Sequence, residues 1–260
     1  MVLLAIPFGL AIGLSVGMLG GGGAVLAVPV LVYVLDQPVH EATTTSLVVV
    51  AAAALAAGIR QALDDRVCWR HAGALALPAA GGILLGTAAN TAVDGALLLA
   101  LFAPVMLVAA WATWRRAGSA PPGGEQQTGC PPLVLRRDIS LGLGVGLLTG
   151  FFGVGGGFVV VPTLALALGF AMRNAIGTSL VIVSAVSLFG LGVHLAAGNA
   201  LDLSLTAVMT LACVAGAILG AGLGPLVAPR TLGRSFAVLV TLVALYLLAS
   251  TAFLGGPPAS

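Results

Sequence analysis

GLSVGMLGGGGAVLAVP at residues 13–29 and GLLTGFFGVGGGFVVVP at residues 146–162 are two copies of one stretch. At an offset of 133 residues, Gly13, Gly17, Gly20, Gly22, Gly23 and Pro29 fall on Gly146, Gly150, Gly153, Gly155, Gly156 and Pro162. Ala42, Thr45, Ser46 and Leu47 then fall on Ala175, Thr178, Ser179 and Leu180. Over residues 13–47 the copies share 14 of 35 positions, more than a common bias toward Gly, Ala and Leu supplies. The chain is an internal duplication, and its least helix-like sequence sits at corresponding places in both halves. In a membrane protein such paired interruptions are the best sequence pointer to a binding site.

Composition places the chain in the bilayer. Hydrophobic residues make up 60% and charged residues 7%, against roughly 25% charged in a soluble domain. Ten arginines and no lysines oppose eight acids, so net charge says little about partners. No basic patch with interleaved aromatics exists, which disfavours nucleic acid. Cys68, Cys130 and Cys213 lie far apart with no CxxC. They read as two loop thiols and one thiol packed in a helix, without a metal or redox role. No cofactor is implied. No HExxH, GxSxG or paired Asp suggests an enzyme, and no Walker-type lysine motif suggests a phosphate loop.

A crossing needs about 20 apolar residues for a core of about 30 Å. Long candidates are residues 2–20, 43–60, 72–91, 95–114, 139–153, 175–197, 203–223 and 232–254. Residues 24–35 and 157–170 are too short to cross upright, and each holds the repeated proline. They read as half-helices, re-entrant or joined to the broken segment before them. The polar stretch 115–138 separates a first membrane repeat, 1–114, from a second, 139–260. The expected class is an all-α polytopic membrane protein. Each repeat would hold a glycine-broken or re-entrant pair plus three transmembrane helices.

Arginine placement carries the topology. The linker 115–138 has four arginines and the loop 60–70 has three, whereas the loop near 36–42 and the turn 91–95 have none. In the second half the pattern reverses. Arg173 stands in the loop at 171–174, residues 198–202 lack arginine, and 225–234 carry Arg230 and Arg234. Positive residues mark the cytoplasmic side. Equivalent loops are therefore expected on opposite sides, which makes the repeats inverted. That requires an odd number of crossings per half, a cytoplasmic linker, and both termini outside the inner membrane.

Consecutive glycines cannot hold a helix in lipid, since each costs about 1 kcal/mol relative to Ala. Unwound backbone at membrane depth survives only where protein buries it or it lines a wet cavity. A helix restarting at Ala24 or Phe158 would aim free N–H groups and a positive dipole end into that cavity. Gly21, Gly22, Gly23, Gly155, Gly156 and Gly157 are thus candidate anion-binding positions, with Pro29 and Pro162 setting the kinks. Close helix packing through small residues is the competing reading. Thr45, Ser46, Thr178 and Ser179 open the helices that follow. They either cap those helices or present hydroxyls to the substrate. His194, Glu41, Asn174 and Arg173 are candidates for gating or proton coupling, and solvated loop positions are the plainer reading of the charged ones. Arg60 reads as an interfacial anchor.

The pattern G-x-x-x-G-x-x-G-x-G-G with its following proline and T-S helix start, repeated in each half, resembles the TauE/SafE family of membrane permeases. The resemblance covers essentially the whole chain. It implies a secondary carrier, an exporter, for a small sulfur oxyanion such as sulfite or an organosulfonate. Alternating access would rock the repeats around a midplane site, with a proton as the coupling ion and a homodimer as a possible assembly. The alternatives are a passive anion channel and a membrane protein handling another sulfur compound.

Overall fold

The structure, a computed structural model, describes residues 2–90, 93, 95–119, 129–152, 156–196 and 202–253. Every element among them is helical, as hydrocarbon demands of a chain that must satisfy its own backbone polar groups. The first half forms α1 (Val2–Leu19), a 3-10 turn (Gly22–Leu26), α2 (Ala27–Tyr33), α3 (Val39–Leu63), α4 (Trp69–Asn90) and α5 (Gly95–Ser119). The second forms α6 (Leu135–Phe152), α7 (Gly157–Pro162), a π turn (Thr163–Ala167), α8 (Met172–Ala196), α9 (Leu203–Leu223) and α10 (Pro229–Phe253). Each half thus runs as one long helix, a short broken pair and three more long helices.

Among the described residues, four helical stretches are apolar and long enough to cross: Glu41–Leu63, Trp69–Asn90, Met172–Ala196 and Leu203–Leu223. Leu4–Leu19, Gly22–Tyr33, Leu101–Arg115 and Ala237–Tyr246 are shorter apolar stretches. Leu77 and Leu211, in the middle of α4 and α9, are 79% and 72% exposed. Large apolar side chains at mid-helix find a favourable solvent only in lipid tails.

The helices pair across the repeats. α1 packs on α9, and its counterpart α6 packs on α4; α3 packs on α8, and α5 on α10. Glycines make the first two pairings possible. A Cβ added at Gly13 or Gly17 would land on the Cys213 or Ala217 carbonyl of α9. A Cβ at Gly142, Gly146 or Gly150 would strike the carbonyls of Leu75, Ala79 or Ile83 in α4. The partners return the contact through Gly216 and Gly220, and through Gly82 and Gly86. Lipid tails are as apolar as leucine, so such helices are held by close van der Waals approach. The register makes α1 parallel to α9 and α6 parallel to α4. α3 and α8 run antiparallel: Gly58, late in α3, adjoins Leu180, early in α8, and Gly190, late in α8, adjoins Leu47, early in α3.

The arginine-bearing segments gather at one end. The Arg60 guanidinium lies 3.5 Å from where a Gly222 Cβ would stand, and the Arg66 carbonyl lies against Gly177. Arg234 covers the Trp114 ring at 5.6 Å. Cys68 and Cys130 form a disulfide that ties the end of the linker to the α3–α4 loop. This corrects the reading of two separate loop thiols. The residues lie 62 positions apart, and no local motif announces the pairing. Cys213 is buried in a helix, as expected. On the other end, the Asp202 carboxylate caps α9 by accepting from the Ser204 and Leu205 N–H groups. The Ser204 hydroxyl holds that carboxyl below its ordinary pKa.

Gly146→Val should force α6 off α4. Overpacking costs typically about 1–3 kcal/mol, so the unfolding midpoint in detergent should fall. Gly144→Val, where a Cβ meets nothing within 4 Å, should leave it unchanged. Equal midpoints for the two variants would remove the seam from the account.

Candidate functional site

Each broken region starts where a helix runs out. Gly20 and Gly21 adopt φ of 71° and 88°, the left-handed region that glycine enters without a Cβ penalty. Both N–H groups turn back to the Val16 carbonyl, at 2.9 and 3.1 Å, and close α1. The chain restarts at Gly22 as a 3-10 turn and becomes α-helical at Ala27. In the second half α6 ends at Phe152, and Gly156, with φ of 64°, caps α7. The restarts thus fall at Gly22 and Gly157, close to the expected Ala24 and Phe158. Gly155 lies outside the described residues.

The prolines act differently. Pro29 is the third residue of α2, where the first turn needs no N–H partner. Pro162 ends α7, and the π turn begins at the next residue. A missing N–H and a ring pressed on the preceding turn account for the widened ladder there.

The two breaks touch. A Cβ at Gly157 would land on the Gly21 carbonyl oxygen, and one at Gly21 would stand 3.2 Å from the Gly157 Cα. The same Gly21 position is 3.0 Å from Val183 Cγ2, at the middle of α8. Gly20 to Gly23 are buried. The backbone ends of two short helices therefore converge at mid-height of the long antiparallel pair. The glycines do two kinds of structural work: Gly13, Gly17, Gly146 and Gly150 pack against neighbouring helices, while Gly20, Gly21 and Gly156 turn the chain.

The hydroxyl residues do not open their helices. α3 begins at Val39 and α8 at Met172, so Thr45, Ser46, Thr178 and Ser179 lie in the second turn, past any cap. All four are 0% exposed. Ser179 Oγ lies 2.6 Å from the Gly20 carbonyl and 2.8 Å from that of Ile176, sharing its proton between them. Thr178 Oγ1 accepts the Cys68 N–H at 3.0 Å. Thr45 Oγ1 meets Thr206 Oγ1 of α9 at 3.4 Å, and Ser46 Oγ donates to the Thr43 carbonyl at 2.8 Å. Ser179 thus ties the first break to α8, while Thr178 holds the α3–α4 loop, Thr45 reaches α9 and Ser46 bonds within α3.

Two supporting residues carried little weight in the sequence. Asn90 Nδ2 donates to the Phe151 carbonyl at 2.6 Å, meeting one of the acceptors that a terminating helix leaves unsatisfied. Thr149 Oγ1 fills the space against Gly156 and donates to the Val145 carbonyl. Thr206 gave no signal beyond being a hydroxyl on an apolar helix. The remaining candidates lie in the terminal turns of α3 and α8. Glu41 is partly exposed in the first turn of α3, Arg173 and Asn174 are partly exposed in the first turn of α8, and His194 is buried in its last turn.

The family model described as "Sulfite exporter TauE/SafE" matches residues 5–247. A "Probable membrane transporter protein" of Xylella fastidiosa strain 9a5c is 36% identical over 260 residues, covering 95% of each chain. Its counterpart in strain Temecula1 is 36% identical over 258 residues, again at 95% of each chain. "Probable membrane transporter protein MJ0441" of Methanocaldococcus jannaschii is 26% identical over 209 residues, 76% of this chain and 75% of that one. No solved structure matches the chain.

Ser179→Ala should strand the Gly20 carbonyl, and an unsatisfied buried acceptor costs about 1–3 kcal/mol. Ser184 donates only to Val181 of its own helix, so Ser184→Ala should cost far less. Thermal unfolding of the two variants side by side measures the difference. Equal losses would mean that Ser179 does not hold the break.

Proposed function

The chain belongs to the sulfite exporter TauE/SafE family, and from that premise we propose that it is a secondary transporter exporting a small sulfur-containing oxyanion, sulfite or an organosulfonate. The carrying observation is the contact of the two glycine breaks, Gly21 against Gly157, beside the middle of α8. Helix starts leave N–H groups without intrahelical partners and present the positive end of the peptide dipoles. Two such starts facing one point suit a compact anion with several acceptor oxygens. Gly22, Gly23, Gly156 and Gly157 would offer backbone donors while the Gly21 N–H closes α1, with Ser179 holding the break at Gly20 and Thr45, Ser46 and Thr178 bracing the helices around it.

Alternating access follows from the pairing. The antiparallel course of the equivalent helices α3 and α8 supports an inverted relation between the repeats. Rocking one repeat against the other would then open the site to each side in turn. A proton gradient or the substrate's own gradient drives the cycle.

The arginine-rich end is assigned to the cytoplasm of a cell whose inner membrane holds the protein, with both termini outside. One feature of that end pulls the other way. Disulfides persist in oxidising compartments and are rare in the cytosol, and Cys68–Cys130 sits among the arginines. All ten arginines lie in segments at this end, and that weight of charge supports the assignment. The bridge would then be held as two thiols for much of its life.

Two measurements check this reading. Thermal-shift screening of the purified protein should find stabilisation by sulfite, sulfate, thiosulfate, sulfoacetate or taurine. Ligand at a hundredfold its Kd stabilises by about 2.7 kcal/mol, roughly 5–10 °C for a chain of this size. Silence from all five would sink the substrate class. For orientation, Cys130 is exposed and, once reduced, should react with a membrane-impermeant maleimide in inside-out vesicles and not in right-side-out ones. The reverse pattern would invert the topology.

A further inference from the structure

The α4–α6 seam has one more rung than the glycines account for. Its register sets Leu75 on Gly142, Ala79 on Gly146 and Ile83 on Gly150. One turn toward the arginine-rich end, the same register sets His71 on Asp138. Both side chains are out of solvent, His71 at 2% and Asp138 at 0% exposure. Asp138 Oδ2 accepts the Val134 N–H at 3.1 Å, at the start of α6. Asp138 Oδ1 and both imidazole nitrogens of His71 are buried with no hydrogen-bond partner among the described residues. The His71 ring meets the edge of Phe170 at 5.0 Å and 88°, which closes its other side with apolar surface.

A buried carboxylate oxygen and a buried imidazole on one rung of the seam, each without a hydrogen-bond partner and with no ion pair between them, are costly as they stand. An unmet buried polar group costs about 1–3 kcal/mol, and more when charged. A proton shared between them offsets the cost at the carboxylate and at one imidazole nitrogen, and leaves the second N–H for the Pro132 carbonyl. It turns the imidazole into a donor to Asp138 and gives the carboxylate the positive partner that burial requires. The other groups whose charge or dipole reaches the imidazole are Arg137 of α6, Arg70 of α4 and the Pro132 carbonyl. A metal is disfavoured, since no group of three or more ligating side chains exists among the described residues. An anion is disfavoured by the carboxylate itself.

We propose that His71 and Asp138 form a proton-binding pair that closes the cytoplasmic end of the α4–α6 seam and couples protonation to transport. The coupling half rests on the transporter reading above; the proton binding does not. The pair sits where one repeat meets the other, so its charge state bears on how firmly the two hold together. The twin seam carries no such pair. In the α1–α9 seam the corresponding rung is Ala5 against Leu205, at 0% and 5% exposure. The proton site is therefore confined to one end of the molecule.

Two readouts test it. The chain has three histidines, so His71→Gln assigns the His71 resonance in protein labelled with 15N-histidine. That resonance should titrate between pH 5 and 8, and Asp138→Asn should move its midpoint by half a pH unit or more. An imidazole that does not titrate there, or that ignores Asp138→Asn, overturns the pair whatever the substrate. In proteoliposomes with radiolabelled sulfite, His71→Gln and Asp138→Asn should each cut flux driven by a pH gradient at least tenfold and flatten its pH profile. Sulfite–sulfite exchange should stay within twofold. Unchanged gradient-driven flux, or exchange lost in parallel with it, overturns the coupling role. Wild-type protein that neither exchanges sulfite nor is stabilised by it counts against the sulfite reading instead, and the resonance titration still decides the pair.

Discussion

Everything in this molecule depends on backbones coming closer than side chains normally allow. In lipid, apolar side chains gain nothing by leaving the tails for one another, so helix pairs need close contact over a long seam. Glycine every fourth residue supplies it, at Gly13 and Gly17 on α1, Gly142 to Gly150 on α6, and Gly82, Gly86, Gly216 and Gly220 on their partners. Both seams join opposite repeats. Each half therefore places its first helix on the fourth helix of the other half, and neither can pack that helix alone. The seams also fix where α1 and α6 end. That delivers the two breaks to one point beside Val183, where Gly21 and Gly157 leave no room for a Cβ between them.

How much of this was legible in the sequence follows from the range of each interaction. The broken helices were readable because glycine's cost in a helix is local, and the doubling of the pattern set it above compositional bias. The gathering of arginine-bearing segments at one end was readable too, since charge near a membrane obeys a rule that needs no tertiary contact. The partner of each glycine was not readable. GxxxG announces a close approach without naming the helix approached, and here that helix belongs to the other repeat. The hydroxyl patches were placed a turn and a half too early. Val39 and Met172 open their helices from loop-like sequence, so Thr43 to Ser46 and Thr178 to Ser179 looked like caps.

The features the sequence hid lie mostly at the arginine-rich end. Cys68 and Cys130 are joined by a linker that folds back on the α3–α4 loop, and no spacing rule finds such a pair. Asp138 read as the last charge of a polar linker, yet α6 begins at Leu135 and carries the carboxylate inside. His71 falls between the loop 60–70 and the candidate span 72–91 and drew no reading. Only the seam register, which aligns Leu75 with Gly142, reveals that the next turn brings these two together. Burial of a polar residue one turn inside a helix is a tertiary fact, and periodicity along one helix is silent about it.

Symmetry gives this arrangement its last consequence. If two inverted repeats were chemically identical, exchanging their roles would convert the inward-open state into the outward-open state at equal energy. Such a carrier would have no built-in preference and would respond to gradients alone. This chain departs from identity at defined places. His71 and Asp138 stand where the other seam has Leu205 and Ala5, and Asn90 reaches the Phe151 carbonyl from a position whose counterpart is Gly224. Thr178 accepts from the Cys68 backbone while Thr45 meets Thr206. Most of these differences lie along the α4–α6 pairing and its arginine-rich end. A bias between the two states has to arise where the repeats differ, and the ionisable rung is the buried one of these differences whose energy depends on pH. Directionality would then be written in the residues that break the repeat, while the glycines that keep it would provide the proposed common site.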